Sequence, residues 1–136
     1  MKNIFKLTLL LLLVSCSKEK KKEIQTNLVI EAMTNGQWKV SSYNKGGTDI
    51  TTEFTNYKFQ FYKNLTVEAI KSGTVEKSGT WNADANAMTI TSNFAGAVDP
   101  LVHLNGLWSI TSTTWTSVNA TQNVSGEIRN LRLDKL

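Results

Sequence analysis

The 136 residues suit one domain, and a single cysteine, Cys16, excludes an intramolecular disulfide. Fifteen basic and eleven acidic residues give a net charge of +4, but the excess lies at the N-terminus: beyond Glu23, nine bases face nine acids. A nucleic-acid binder carries its positive excess on a folded face, so that class is excluded.

In chain order, residues 1–15 read as an export signal. Lys2 and Lys6 supply positive charge, and Leu7 to Val14 form an apolar run broken only by Thr8. The run is too short to span hydrocarbon, which takes about 20 residues, and it lacks the period of a buried helix. The following Leu13-Val14-Ser15-Cys16 resembles the lipobox of bacterial lipoprotein precursors. That resemblance implies that Cys16 is acylated, becomes the first residue of the mature chain, and holds it in the cell envelope, by expectation at the outer membrane.

Residues 16–27 form the lipidated cysteine and a charged tether. Lys18-Glu19-Lys20-Lys21-Lys22-Glu23 holds four bases and two acids and reads as a solvated spacer. Beside anionic lipid each lysine adds about 1 kcal/mol of attraction. A short helix is predicted within residues 24–34, with Asn27 as its N-cap. Leu28, Ala32 and Met33 share an apolar side, and Gly36 lies just past the end.

From there the pattern is that of strands. Trp38, Val40 and Ser42 alternate with Gln37, Lys39 and Ser41, and Asn44-Lys45-Gly46-Gly47 turns the chain. Tyr57, Phe59 and Phe61 alternate with Lys58, Gln60 and Tyr62, the clearest half-buried strand. Lys63-Asn64 is predicted as a two-residue turn into Leu65, Val67 and Ala69. Residues 74–82 form the next strand, Asp84-Ala85-Asn86 a turn, and Met88 with Ile90 another inward face. After a less regular stretch with Pro100 and His103, strands are marked by Trp108 with Ile110, Trp115 with Ser117, and Leu131 with Leu133. About eight closely spaced strands imply an all-β, antiparallel sandwich or barrel preceded by a short helix. Eight is about the number that closes a barrel either filled by side chains or holding one small ligand.

The order of elements resembles the small lipocalin-like lipoproteins of Bacteroidetes over residues 28–136. It is carried by Gly36-Gln37-Trp38, Tyr57-Lys58-Phe59-Gln60-Phe61, Ser78-Gly79-Thr80-Trp81, Asp99-Pro100-Leu101 and Leu131-Arg132-Leu133. The resemblance implies an eight-stranded lipocalin-like barrel whose base is closed by Trp38, with Arg129 or Arg132 stacked on it. In such relatives acidic residues after the cysteine direct export to the surface, and the lysine-rich run here departs from that pattern.

Catalysis needs convergent acids, bases or nucleophiles, and the mature domain offers a lone histidine, no nucleophile elbow and no metal-ligand spacing. The expectation is therefore a protein that is not an enzyme and uses no cofactor or metal. Tyr57, Phe59, Phe61, Trp81, Trp108 and Trp115 are the candidates to line a cavity for a small apolar or amphipathic molecule. The competing expectation is that these aromatics fill the barrel, since each buries about 150–250 Å² and a small domain needs that core. The protein would then be a structural or protein-interaction lipoprotein.

Overall fold

Alternating apolar and polar side chains with turn residues between them can bury one face only by closing a sheet on itself, and the chain does so. The structure is a computed structural model that describes residues 20, 21 and 23–136. The export signal, Cys16 and the first lysine of the charged run lie outside the described residues. A helix, α1, covers residues 23–34. The strands are β1 (Trp38–Lys45), β2 (Thr48–Asp49), β3 (Tyr57–Phe61), β4 (Thr66–Lys71), β5 (Thr74–Asp84), β6 (Thr89–Asn93), β7 (Gly106–Thr113), β8 (Ser117–Val124) and β9 (Glu127–Lys135). All pair antiparallel with their neighbours, and β1 pairs with both β3 and β9. The result is a closed eight-stranded barrel, with β2 a short ribbon beside β1. Closure leaves no long free edge.

The register follows the sequence pattern. Trp38, Phe59, Phe61, Val67 and Ile90 point inward and are buried, while Lys58 is exposed and Gln60, Glu68 and Thr89 are partly so. On β1 the alternation breaks. A bulge between Val40 and Ser42 inserts one residue, so Tyr43 rather than Ser42 enters the core. Tyr43 stacks on Phe54 at 5.6 Å, meets Trp108 edge-on at 5.8 Å, and donates to the carbonyl of His103.

Antiparallel order puts the connections at two ends. One end, the helix end, carries α1, Trp38, the β3–β4, β5–β6 and β7–β8 turns, and the C-terminus of β9. The other carries two 3-10 turns, Thr51–Phe54 and Leu101–Leu104, whose Phe54, Leu101 and Leu104 plug it.

Several local expectations need correction. Asn27 lies inside α1, which is already helical at residue 23, and residues 20 and 21 of the charged tether are helical as well. An earlier start satisfies more backbone groups than a cap at Asn27 would. The β3–β4 connection is a four-residue loop from Tyr62 to Leu65, closed by the Tyr62 N–H donating to the Thr66 carbonyl, with Leu65 in the left-handed region at φ 66°. That strain is offset by burying part of Leu65 against the core. Met88 and Trp115 sit in turns rather than strands, because β6 begins at Thr89 and β8 at Ser117. Gly79 is mid-strand: a Cβ there would meet the Asn93 carbonyl oxygen at 2.5 Å, so the close approach of the end of β6 requires glycine.

The expected arginine on Trp38 is replaced by a lysine. Lys135 Nζ lies 5.1 Å from the Trp38 ring centroid and donates to the Ala32 carbonyl at 3.0 Å. Register explains the substitution. Trp38 pairs with Lys135, whereas Arg129 is opposite Lys45, six residues and roughly 20 Å farther along the strand. Arg132 points outward by the period of two and pairs with Asp134 at 3.1 Å.

Candidate functional site

The helix end is organised by α1. Val29, Ile30 and Met33 pack on the core, and the chain leaves the helix through Gly36 at φ 95°, a left-handed conformation that glycine adopts without strain. Two of the last carbonyls of α1 find tertiary donors. Trp38 Nε1 donates to Met33 at 2.9 Å, and Lys135 donates to Ala32, placing a cation at the negative end of the helix dipole. These contacts tie the C-terminal end of α1 to the barrel mouth.

Between α1 and the mouth lies an apolar cleft of about 350 Å³. One wall is helical, from Leu28, Val29, Ala32 and Met33. Trp38, Ile90, Ile110 and Val118 form the floor, and Ala85, Met88 and Trp115 from the β5–β6 and β7–β8 turns form the far rim. Asp84, Thr89, Thr113 and Thr114 supply the polar groups. Asp84 is committed to its own turn, accepting from the backbone N–H groups of Asn86 and Ala87 at 3.0 Å. Thr114 is held by Ser117 at 2.9 Å. The cleft therefore offers apolar contact area and few free polar partners.

The barrel interior is different. Beneath the cleft, past Met33, Ile90 and Val118, only about 50 Å³ remains among Phe59, Phe61, Val67, Trp108 and Leu131. The six predicted ligand-lining aromatics accordingly divide. Phe59, Phe61 and Trp108 border that small void, and Trp81 packs edge-on against Phe61 at 5.2 Å. Tyr57 lies toward the plugged end and donates to the Glu76 carboxylate. Burial and that hydrogen bond push its phenol up to about 12. Only Trp115 reaches the large cleft, at its rim. The expectation of a ligand space within the barrel is thus corrected: aromatic packing uses up the interior, and the open volume is under the helix. Trp38, assigned to a closed base, floors the cleft.

The buried tryptophans share one further role. Trp81 Nε1 donates to the Tyr62 carbonyl and Trp108 Nε1 to the Leu104 carbonyl, each at 3.0 Å, as Trp38 does to Met33. Each indole ties a connection to the core. His103 sits in the plugged end with Nε2 3.1 Å from Asp99 Oδ1. Among the described residues, no three His, Cys, Asp or Glu side chains converge as metal ligands would.

A solved barrel shares this architecture. The chain is similar to a DUF4847 family protein from Bacteroides vulgatus at 13% identity, with a TM-score of 0.56 over 78% of this chain and 96% of that one. No family model matches the sequence, and no curated protein sequence matches it. The likeness to the DUF4847 protein spans nearly the whole of that molecule and concerns the fold.

The cleft residues that sequence reasoning missed fall into two groups. Leu28, Ala32 and Met33 were legible as one apolar helix side. Met88, Ile110, Thr113 and Thr114 carry no local signal that they meet it, because that meeting is set by where the barrel closes.

Proposed function

We propose that this chain is a lipid-anchored, lipocalin-like barrel protein of the bacterial outer membrane. In this reading it binds a small apolar or amphipathic molecule in the cleft beneath α1, without catalysis. The observation that carries the binding reading is the cleft itself, about 350 Å³ of space lined mainly by aliphatic, methionine and tryptophan side chains. Ligand pockets run from about 300 to 1,000 Å³, so the volume suits a small guest or one segment of a longer one. Affinity would come from apolar area removed from water, about 25 cal/mol per Å² before ordering costs. The anchor rests on Leu13-Val14-Ser15-Cys16.

The near-complete filling of the interior favours a second reading, a non-catalytic structural or protein-interaction lipoprotein. Titration of the mature protein with fatty acids and a fluorescent apolar probe separates the two. Ala85→Trp, which fills the cleft from its loop wall, should abolish binding, while Phe61→Trp in the interior should not. If nothing binds below about 100 μM, roughly −5.5 kcal/mol, the second reading replaces the first. For the anchor, Cys16→Ala should abolish incorporation of labelled palmitate; equal labelling of wild type and variant would remove it.

A further inference from the structure

Resting on the lipid-anchored reading above, we infer that the helix end docks onto the bilayer surface, so that the cleft opens toward lipid and not toward bulk water. Four large apolar side chains are exposed there together. Leu28, Met88 and Trp115 rim the cleft at 48%, 45% and 60% exposure. Ile24, 56% exposed, lies one helical turn before Leu28 on the same side of α1. An apolar rim of this kind marks an interaction surface.

Three further observations select a membrane as its partner. First, the rim is contiguous with the segment leading back to the anchor. Ile24 is only eight positions after Cys16, a span that at full extension reaches at most about 28 Å. An acylated Cys16 therefore keeps the start of α1, and with it the apolar rim, within reach of the bilayer surface. Second, that segment is basic. Lys20 and Lys21 are exposed, and Lys18 and Lys22 flank them in sequence, against Glu19 and Glu23. Lysines beside an apolar helix side match an anionic headgroup layer over hydrocarbon. Third, Trp115 stands at the tip of the β7–β8 turn among Thr113, Thr114 and Thr116. An indole flanked by small hydroxyl residues suits the interfacial layer, where an amphipathic ring has both an apolar and a wet side. A guest drawn from the membrane would then reach Trp38 and Ile90 without crossing water.

The test uses the mature acylated protein in vesicles of phosphatidylcholine and phosphatidylglycerol whose acyl chains are brominated near the headgroup. Trp115 is the exposed tryptophan among the described residues; Trp38, Trp81 and Trp108 are buried. Brominated lipid should quench part of the emission, and Trp115→Phe should remove that part. Adding Val98→Trp at the plugged end, where Val98 is 78% exposed, should not restore it. Ile24→Ser with Leu28→Ser, both at exposed positions, should weaken the quenching. Protein that floats with the vesicles yet shows no bromolipid quenching overturns the docking and leaves the anchor standing. Protein that lacks acyl chains but is quenched when vesicles are added supports the docking and removes the anchor. A dimer in light scattering, with Trp115 shielded from acrylamide and bromolipid alike, assigns the rim to a second copy and overturns the inference.

Discussion

Phe59→Ala tests the inward register on which the barrel depends. Phe59 is 2% exposed, stacks with Tyr57 at 6.2 Å and meets Phe94 at 6.3 Å. Burying a phenylalanine is worth about 1.5–3 kcal/mol in transfer from water. An unrelaxed cavity of roughly 100 Å³ adds about 2.4 kcal/mol at about 24 cal/mol per Å³. Together these give about 4–5 kcal/mol, at the upper end of the usual cost of about 3–5 for such truncations. The upper end is expected because Phe59 already borders a void of about 50 Å³ held open by strands that hydrogen-bond around the whole barrel. Of a total stability of about 5–15 kcal/mol, that is a third or more. Urea unfolding is the assay. With a slope near 2 kcal/mol per molar, the midpoint should fall by about 2 M with the slope unchanged. Lys58→Ala, one residue away on the outer face, should stay within about 0.5 kcal/mol. Equal effects at Phe59 and Lys58, or a midpoint shift under about 0.5 M for Phe59→Ala, would refute the assigned faces.

Tyr57 should make stability fall in alkali. Its neutral phenol is favoured in the fold, so its contribution is complete below the unfolded value of 10.0 and is lost as pH rises toward about 12. In Tyr57→Phe that component should vanish, seen as a difference in urea midpoint between the two proteins that changes across this window and is constant on either side. Gly79→Ala should cost about 1–3 kcal/mol, because its methyl would press on the Asn93 carbonyl oxygen at 2.5 Å and on Phe94 at 2.9 Å. An unchanged thermal midpoint would show that β5 and β6 can separate there. Lys135→Met should cost about 1–2 kcal/mol and shift Trp38 emission, through loss of the cation over the indole and of the hydrogen bond to α1. Arg132→Met, exposed and paired only with Asp134, should change stability by under about 1 kcal/mol in chemical denaturation.

What the sequence determined by itself was whatever local periodicity and turn chemistry encode. The strict alternation through Tyr57, Phe59 and Phe61 placed β3 and its inward face, and the spacing of turn residues implied the number of strands. The apolar side of residues 28–33 announced a helix. Tertiary structure decided everything that depends on one element meeting another. A single bulged residue in β1 turned Ser42 outward and Tyr43 inward, an event invisible to a period of two. Pairing of Trp38 with Lys135 put a lysine where an arginine was expected, because registers are fixed by closure of the whole sheet. The cleft shows the division most clearly. Its helical wall is written in residues 28–33, but its rim comes from turns at Met88 and Trp115 that lie far from the helix in sequence. Those turns face α1 only because the eight strands close into a barrel, and the interior aromatics beneath the cleft pack down to a void of about 50 Å³.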